Sequence, residues 1–328
     1  MKLSIVIPVY NGGSTISELT QALKIELTGL DFEIILVNDG SKDNSEVVCE
    51  GLAKKDNRVN VLSLRNNFGE HNAVMCGLNV VTGDYVVVID DDFQNPPSEI
   101  RKLLGEAISG GYDVVYSRYK TKHHHWFRNV VSKGANIVAS FVLNKPLSLY
   151  LSSFKLLNRE TVNEIIKYKG ANVYLDGLLL RTTNNIGTYD VIHAPRKRGE
   201  SNYNTFRLFS LFMNMFINHS IRPIRMFMLA GFLILMFGAA MFFYFLDAHI
   251  SLQSPALNWK LFLSGSLALA GFNTIVMCLI GEYIGKNIVN TSSAPQFTIK
   301  KAIMHNAKHL ELISENPTSN AESGRGIR

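Results

Sequence analysis

Cysteine is scarce: Cys49, Cys76 and Cys278 are the three in the chain, far apart and without metal-ligand spacing. That excludes a disulfide framework or a thiolate zinc site, and it suits reduced, buried thiols in a cytosol-facing protein. The glycine fingerprints of two nucleotide folds are missing as well. The first apolar run is followed by Asn11-Gly12-Gly13-Ser14-Thr15-Ile16 rather than G-x-G-x-x-G, and no GK[ST] loop occurs. A Rossmann dehydrogenase and a P-loop NTPase are therefore excluded. The opening MKLSIVIPVY has one Lys and an apolar run too short for a signal peptide, so it reads as a first strand. Charge is absent from residues 226–246 and 261–281. Each run is about 20 residues, enough at about 1.5 Å per residue to cross a hydrocarbon core of about 30 Å. A buried core hairpin is the bland alternative, but neither run has the polar face such a hairpin needs.

What the chain does have is a 47% hydrophobic composition and a net charge of +6 over 328 residues, which fits one globular domain of roughly 200 residues plus membrane segments. The organising stretch is YVVVIDDDFQNPPSEI, residues 85–100. An uninterrupted β-branched run bounded by turn signals predicts a strand buried on both faces. It ends in Asp90, Asp91 and Asp92, where open α/β sheets bind ligands. Three packed carboxylates repel unless a cation or hydrogen-bond donors offset them, and Mg²⁺ or Mn²⁺ prefers carboxylate plus phosphate oxygens. Strand alternation points Asp90 and Asp92 the same way, making them the candidate metal ligands. The competing reading is an acidic capping turn, with Pro96, Pro97 and Glu99 opening a helix.

Strands are predicted at 3–9, 32–37, 59–64 and from 85, with a fifth apolar run at 112–116. Helices lie between them, the first capped by Ser14 with Ile16, Leu19, Leu23 and Leu27 at helical spacing. This alternation predicts a mostly parallel, doubly wound sheet with a polar rim. His123, His124 and His125 sit in a basic loop and read as solvated or phosphate-facing, and residues 150–160 read as strand then helix. The basic cluster HAPRKRGESNY spans residues 193–203. Residues 204–225 are apolar around most of a helix and suit the membrane interface, although their aromatics fit a second copy of the chain as readily as lipid. The expected organisation is a domain at 1–203, an interfacial segment at 204–225, spans at 226–246 and 261–281, a short outer loop at 247–260 and a polar tail at 282–328, disordered towards its end. Arg207, Arg222 and Arg225 before the spans, and Lys286, Lys300 and Lys301 after them, put the domain and both termini in the cytosol, as a multi-pass inner-membrane protein. Basic groups before an interfacial helix point to a lipid phosphate, or simply to attraction of anionic lipids.

The motifs IPVYN (7–11), NDGS (38–41), DDDFQNPP (90–97), SSFKLLNR (152–159) and RKRGESNY (196–203) together resemble family-2 glycosyltransferases of GT-A fold. More narrowly, they resemble the polyisoprenyl-phosphate glycosyltransferases. The resemblance implies inverting, metal-dependent transfer of one sugar from a nucleotide sugar to a polyprenyl phosphate at a bilayer, with a UDP-linked donor and undecaprenyl phosphate as acceptor, for surface-glycan modification, and with no nucleic-acid partner. Carried over, Pro8, Tyr10 and Asn11 match the nucleotide loop, Asp39 the base-reading carboxylate, and Asp90, Asp91 and Asp92 the donor and metal segment. Arg198, Ser201 and Tyr203 match the acceptor and diphosphate segment, joined by Arg196 and Lys155. The sequence departs from the pattern in three places: Gly12 stands where a Glu is usual, Asn95 where an Asp is common, and Arg65 lies one residue early.

A phosphate monoester is already anionic at pH 7 and needs no general base. Catalysis then rests on in-line positioning and on neutralising the leaving diphosphate, tasks assigned to a metal on Asp90 and Asp92 and to Arg198. A processive polysaccharide synthase would need more spans and a Gln-x-x-Arg-Trp segment, yet neither Trp126 nor Trp259 follows an Arg. A catalytically silent scaffold of the same fold is the remaining alternative, against which Asp90, Asp92 and Arg198 argue.

Overall fold

The computed structural model describes residues 1–119, 149–171, 173–191, 222–252, 258–291 and 295–305. It divides into two units, one made of Met1–Asn202 with Ser293–Arg328 and the other of Tyr203–Ser292.

In the first unit β1 (Lys2–Val9), α1 (Ile16–Glu26), β2 (Asp31–Asn38), α2 (Ser45–Lys55), β3 (Val59–Leu64), α3 (Glu70–Leu78) and β4 (Tyr85–Val88) alternate as expected. Then come α4 (Glu99–Gly110), β5 (Val114–Tyr119), β6 (Lys155–Asn158), α5 (Arg159–Ile165), α6 (Leu175–Thr182), β7 (Ile186–Val191) and, from the far end of the chain, β8 (Ile299–Ile303). The eight strands form one sheet in the order β7-β5-β6-β4-β1-β2-β3-β8. The sheet is mixed: β6 runs antiparallel to β4 and β5, and β8 antiparallel to β3, while the remaining pairs are parallel.

Strand alternation sorts side chains onto two cores. Leu3, Ile5, Ile7 and Val9 of β1 pack with α1, α2 and α4, whereas Val6 faces the side covered by α3, α5 and α6. On that second side α3 lies close to the sheet, since a Cβ on Gly77 would come within 2.5 Å of Val6 Cγ1. In α1 the buried Ile16, Leu19, Thr20 and Leu23 follow the helical period. Its N-cap is Thr15 rather than Ser14, and the Gly12 carbonyl accepts the Thr15 and Ile16 N–H groups at 3.0 Å each. At the N-terminal ends of the strands the buried Glu33 accepts from Lys2 Nζ at 2.8 Å, Ser4 Oγ at 2.6 Å and the Thr82 N–H at 2.7 Å. This carboxylate is structural, a fully satisfied buried charge that fastens β1, β2 and the turn before β4.

The 282–328 segment, expected as a polar tail, contains β8. Phe297 and Ile299 are buried, and their apolar side chains repay ordering the strand on the β3 edge. Lys300 and Lys301, expected as flanking membrane charges, pair with Glu46 and Glu50 of α2 at 2.9 and 2.6 Å. All three cysteines are free, and burial pushes the Cys49 thiol up to about 12.

The second unit is a pair of long helices, α7 (Arg222–Leu252) and α8 (Asn258–Thr291). Within them Ile224–Ser251 and Asn258–Gly285, each 28 residues, are long and apolar enough to cross a membrane. At about 1.5 Å per residue each is about 42 Å long, longer than the uncharged runs alone because the backbone ladder continues into polar flanks. Glycines bring the two backbones together: a Cβ on Gly271 would lie 2.4 Å from Leu235 N, and one on Gly238 2.5 Å from Ala268 N. Arg225 bonds Glu282 at 3.1 Å across the pair.

Candidate active site

The chain leaves β1 towards β2 and β3 on one side, and β4 lies on the other side of β1. The order therefore reverses between β1 and β4, and a crevice at their carboxyl ends is where such a sheet takes a ligand. One wall comes from residues 10–13 after β1, the other from residues 89–95 after β4.

On the first wall Tyr10 is 45% exposed, and Asn11 adopts a left-handed φ of 55°. The Asn11 N–H donates to Ser41 Oγ at 3.0 Å, and its side-chain oxygen accepts the Lys42 N–H at 2.9 Å. The YN pair is thus bound to the turn after β2. Gly12 faces the second wall: a Cβ there would meet Asp91 Oδ2 at 2.1 Å. The departure from the usual Glu has a steric reason, because the Asp91 carboxylate occupies the space a side chain would need.

The second wall is not an extended strand. β4 stops at Val88, and Phe93 has φ 62°, so alternation ceases to govern residues 90–92. Asp90 accepts from Ser153 Oγ at 2.5 Å, Asp91 abuts Gly12, and Asp92 Oδ1 accepts the Gln94 N–H at 3.0 Å. The acidic turn and the opening of a helix coexist, since α4 begins at Glu99 after Pro96 and Pro97. Among the described residues no three His, Cys, Asp or Glu side chains converge as a metal cage. Asp90 and Asp92 could supply the one or two carboxylates that Mg²⁺-type sites combine with phosphate oxygens and water.

Asp39, at the end of β2, is buried and holds a loop: Oδ1 accepts the Phe68 N–H at 2.7 Å and Oδ2 the Gly69 N–H at 2.9 Å. Burial raises its carboxyl above the ordinary range, and these two N–H groups oppose that rise. Each oxygen keeps a second lone pair, so a base could still be read there. Pro8 is within β1, beside Val37 of β2.

Lys155 has a different surrounding from the one expected of a diphosphate ligand. It is 2% exposed on β6, and its ammonium is bonded to Asp176 of α6, which also accepts from Tyr116 at 2.8 Å. Its Nζ lies 5.2 Å from the Tyr116 ring centre. Lys155 thus ties β6 to α6 beneath the carboxylate turn. Burial and then the Asp176 charge raise the Tyr116 phenol well above its usual value.

Three groups escaped the sequence reading. Glu70 opens α3, and although its side chain reaches solvent, protein surrounds it on most sides. This crowding, followed by the charge of Asp90, pushes its carboxyl up to about 7 against the pull of Lys155. Its position directly after RNNFG was the available signal. Asp176 offered none, because its partner Lys155 lies 21 residues away in sequence, and Ser153, although part of SSFKLLNR, gave no sign of a partner 63 residues away. Arg65 is exposed, and its N–H donates to the Thr298 carbonyl at 2.9 Å. Arg196, Arg198, Ser201, Tyr203, the 123–125 histidines and most of the 204–225 segment lie outside the described residues.

Residues 4–166 match the family model Glycosyl transferase family 2. Among solved structures, glucosyl-3-phosphoglycerate synthase from Mycobacterium tuberculosis in complex with Mn²⁺, uridine diphosphate and phosphoglyceric acid has a TM-score of 0.50 and 22% identity, covering 65% of this chain and 75% of that one. The same enzyme with Mn²⁺, uridine diphosphate and glucosyl-3-phosphoglycerate has a TM-score of 0.50 and 21% identity, covering 66% and 78%. At these identities the likeness concerns the fold, a mixed α/β sheet of GT-A type. With the strand order reversing between β1 and β4 and an aspartate turn after β4, the N-terminal part of this chain, residues 4–166, carries a glycosyl transferase family 2 domain.

Proposed function

We propose that this chain transfers one sugar, with inversion, from a nucleotide sugar to a polyprenyl phosphate at the cytosolic face of a membrane. The observation that carries the reading is the union in one chain of the 90–92 aspartate turn, with Asp91 against Gly12 of the YNG turn, and two helices able to cross a bilayer. A UDP-linked donor agrees with the uridine diphosphate and Mn²⁺ held by the structurally similar synthase. Undecaprenyl phosphate as acceptor, and a role in surface-glycan modification, rest on the motif resemblance alone.

Asp90 and Asp92 would hold a divalent cation, which when bound neutralises charge on the diphosphate. The chain's own residues divide the remaining work. Asp39 and the Asn11 turn seat the nucleoside, Ser153 orients Asp90, and Gly12 leaves room for Asp91 beside the donor. Arg198, with Arg196, Ser201 and Tyr203, would grip the acceptor phosphate and the leaving diphosphate. Domain limits at about 203, an interfacial segment at 204–225 and cytosolic termini belong to the same proposal.

The test is incubation of membranes containing the chain with radiolabelled nucleotide sugars, Mn²⁺ and undecaprenyl phosphate, followed by lipid extraction. A labelled monosaccharide lipid is the expected product. A polymer would instead support a processive synthase, label in a water-soluble phosphate ester an acceptor like that of the structurally similar synthase, and no label a silent scaffold.

A further inference from the structure

Residues 296–305 return to the sheet after α8, and their contacts reach beyond the β3 edge. Gln296 is buried, and its side-chain NH₂ donates to the carbonyls of Tyr168 at 3.3 Å and Gly170 at 3.1 Å. Two residues on, the Thr298 carbonyl accepts the Arg65 N–H at 2.9 Å, at the first residue of the 65–69 loop. That loop is held at its other end by Asp39, through Phe68 and Gly69. The 168–170 connection leads to Tyr174, whose ring meets His71 of α3 edge-on at 5.3 Å, and to Asp176, the partner of Lys155. Phe297 and Ile299 share the core in which Phe68, Ala73 and Val74 pack. One short segment therefore bonds the two loops that flank Glu70 and His71.

We infer that residues 296–299 form a strap that sets the nucleotide end of the site, with Gln296 as its positioning residue. The inference rests on the nucleotide reading of Asp39 given above. The strap follows α8 in the chain by a few residues, so the segment that orders the 65–69 loop is continuous with the second span. The physical logic is that a loop fastened at one end by Asp39 alone samples many conformations, and fastening the other end removes them before the ligand arrives.

The experiment uses the full-length chain in nanodiscs and compares wild type with Gln296→Met, which keeps the length but removes both hydrogen bonds, and with Gln296→Asn, a milder shortening. Two quantities are read: affinity for UDP with Mn²⁺, and hydrogen exchange at the Phe68 and Gly69 amides. The expected result for Gln296→Met is a loss of UDP affinity of about tenfold, as two hydrogen bonds would provide. Protection at those two amides falls, β1 and β2 amides stay protected, and Gln296→Asn lies between. As a control, Lys300→Ala with Lys301→Ala, which removes only exposed ion pairs to α2, leaves both readings unchanged. Unaltered amide protection in Gln296→Met and Gln296→Asn overturns the strap, and so does unaltered UDP affinity when wild type binds. Should wild type itself bind no UDP, the nucleotide reading fails instead, and exchange at the two amides still decides whether the strap orders the loop.

Discussion

At the level of single residues the site is a problem of like charges. Asp90, Asp91 and Asp92 are consecutive, and crowding by protein, followed by the charge of Asp90, pushes the nearby Glu70 carboxyl up to about 7. The arrangement separates the three by direction: Asp90 towards Ser153, Asp91 towards Gly12 and Asp92 back onto the Gln94 N–H. Asp92→Asn isolates charge from shape, because an amide oxygen can still accept the Gln94 N–H. We expect this variant to insert into membranes and melt like wild type while sugar transfer falls by a factor of about 10² or more, the scale of losing one electrostatic group at a developing charge. Wild-type turnover in the purified variant would show that Asp92 does not serve a cation. The aspartates were legible in the sequence because an apolar run ending in acids announces a strand tip. The bonds of Asp39 to Phe68 and Gly69 were not, since nothing local in NDGS names a partner some 30 residues away. The surroundings of Lys155 were hidden for the same reason: a lysine near a site suggests a phosphate ligand, and neither its burial nor the Asp176 carboxylate shows in the sequence.

Elements obey the periodicity that predicts them, but their neighbours are chosen by packing. The β-α alternation up to β4 is written in apolar spacing and turn residues, and it appears in the fold with small shifts at its ends. The direction of β6 and β8 is not so written, because a short apolar run reads the same whichever way it pairs. A close approach is equally invisible from spacing. Gly77 sits one residue before the end of α3, where its low helix propensity looks like a cost, yet Val6 Cγ1 and Val37 Cγ2 would lie 2.5 and 3.2 Å from an added Cβ. Gly77→Ala should therefore destabilise the domain by about 1–3 kcal/mol through overpacking, despite the better helix former. A thermal or urea melt of the variant checks it, and a rise in stability would mean that α3 stands off the sheet.

In the whole molecule the catalytic domain is built from both ends of the chain. The first unit needs Ser293–Arg328 as well as Met1–Asn202, with β8 covering the edge of β3. A fragment ending at residue 202 would expose that edge and the apolar neighbours of Phe297 and Ile299, inviting aggregation. We expect such a fragment to elute from size exclusion as aggregate, whereas the same fragment joined by a flexible linker to residues 293–305 elutes as a discrete species. Equal behaviour of the two would make β8 dispensable. Composition and local pattern were enough to announce an α/β domain, an acidic strand tip and two membrane-length helices, because these depend on the spacing of apolar and charged residues along a few turns. Pairing of the tail with β3, engagement of Lys155 by Asp176 and the fitting of Asp91 against Gly12 came from the packed chain, because each joins residues far apart in sequence, and such contacts are settled by packing and buried charge together.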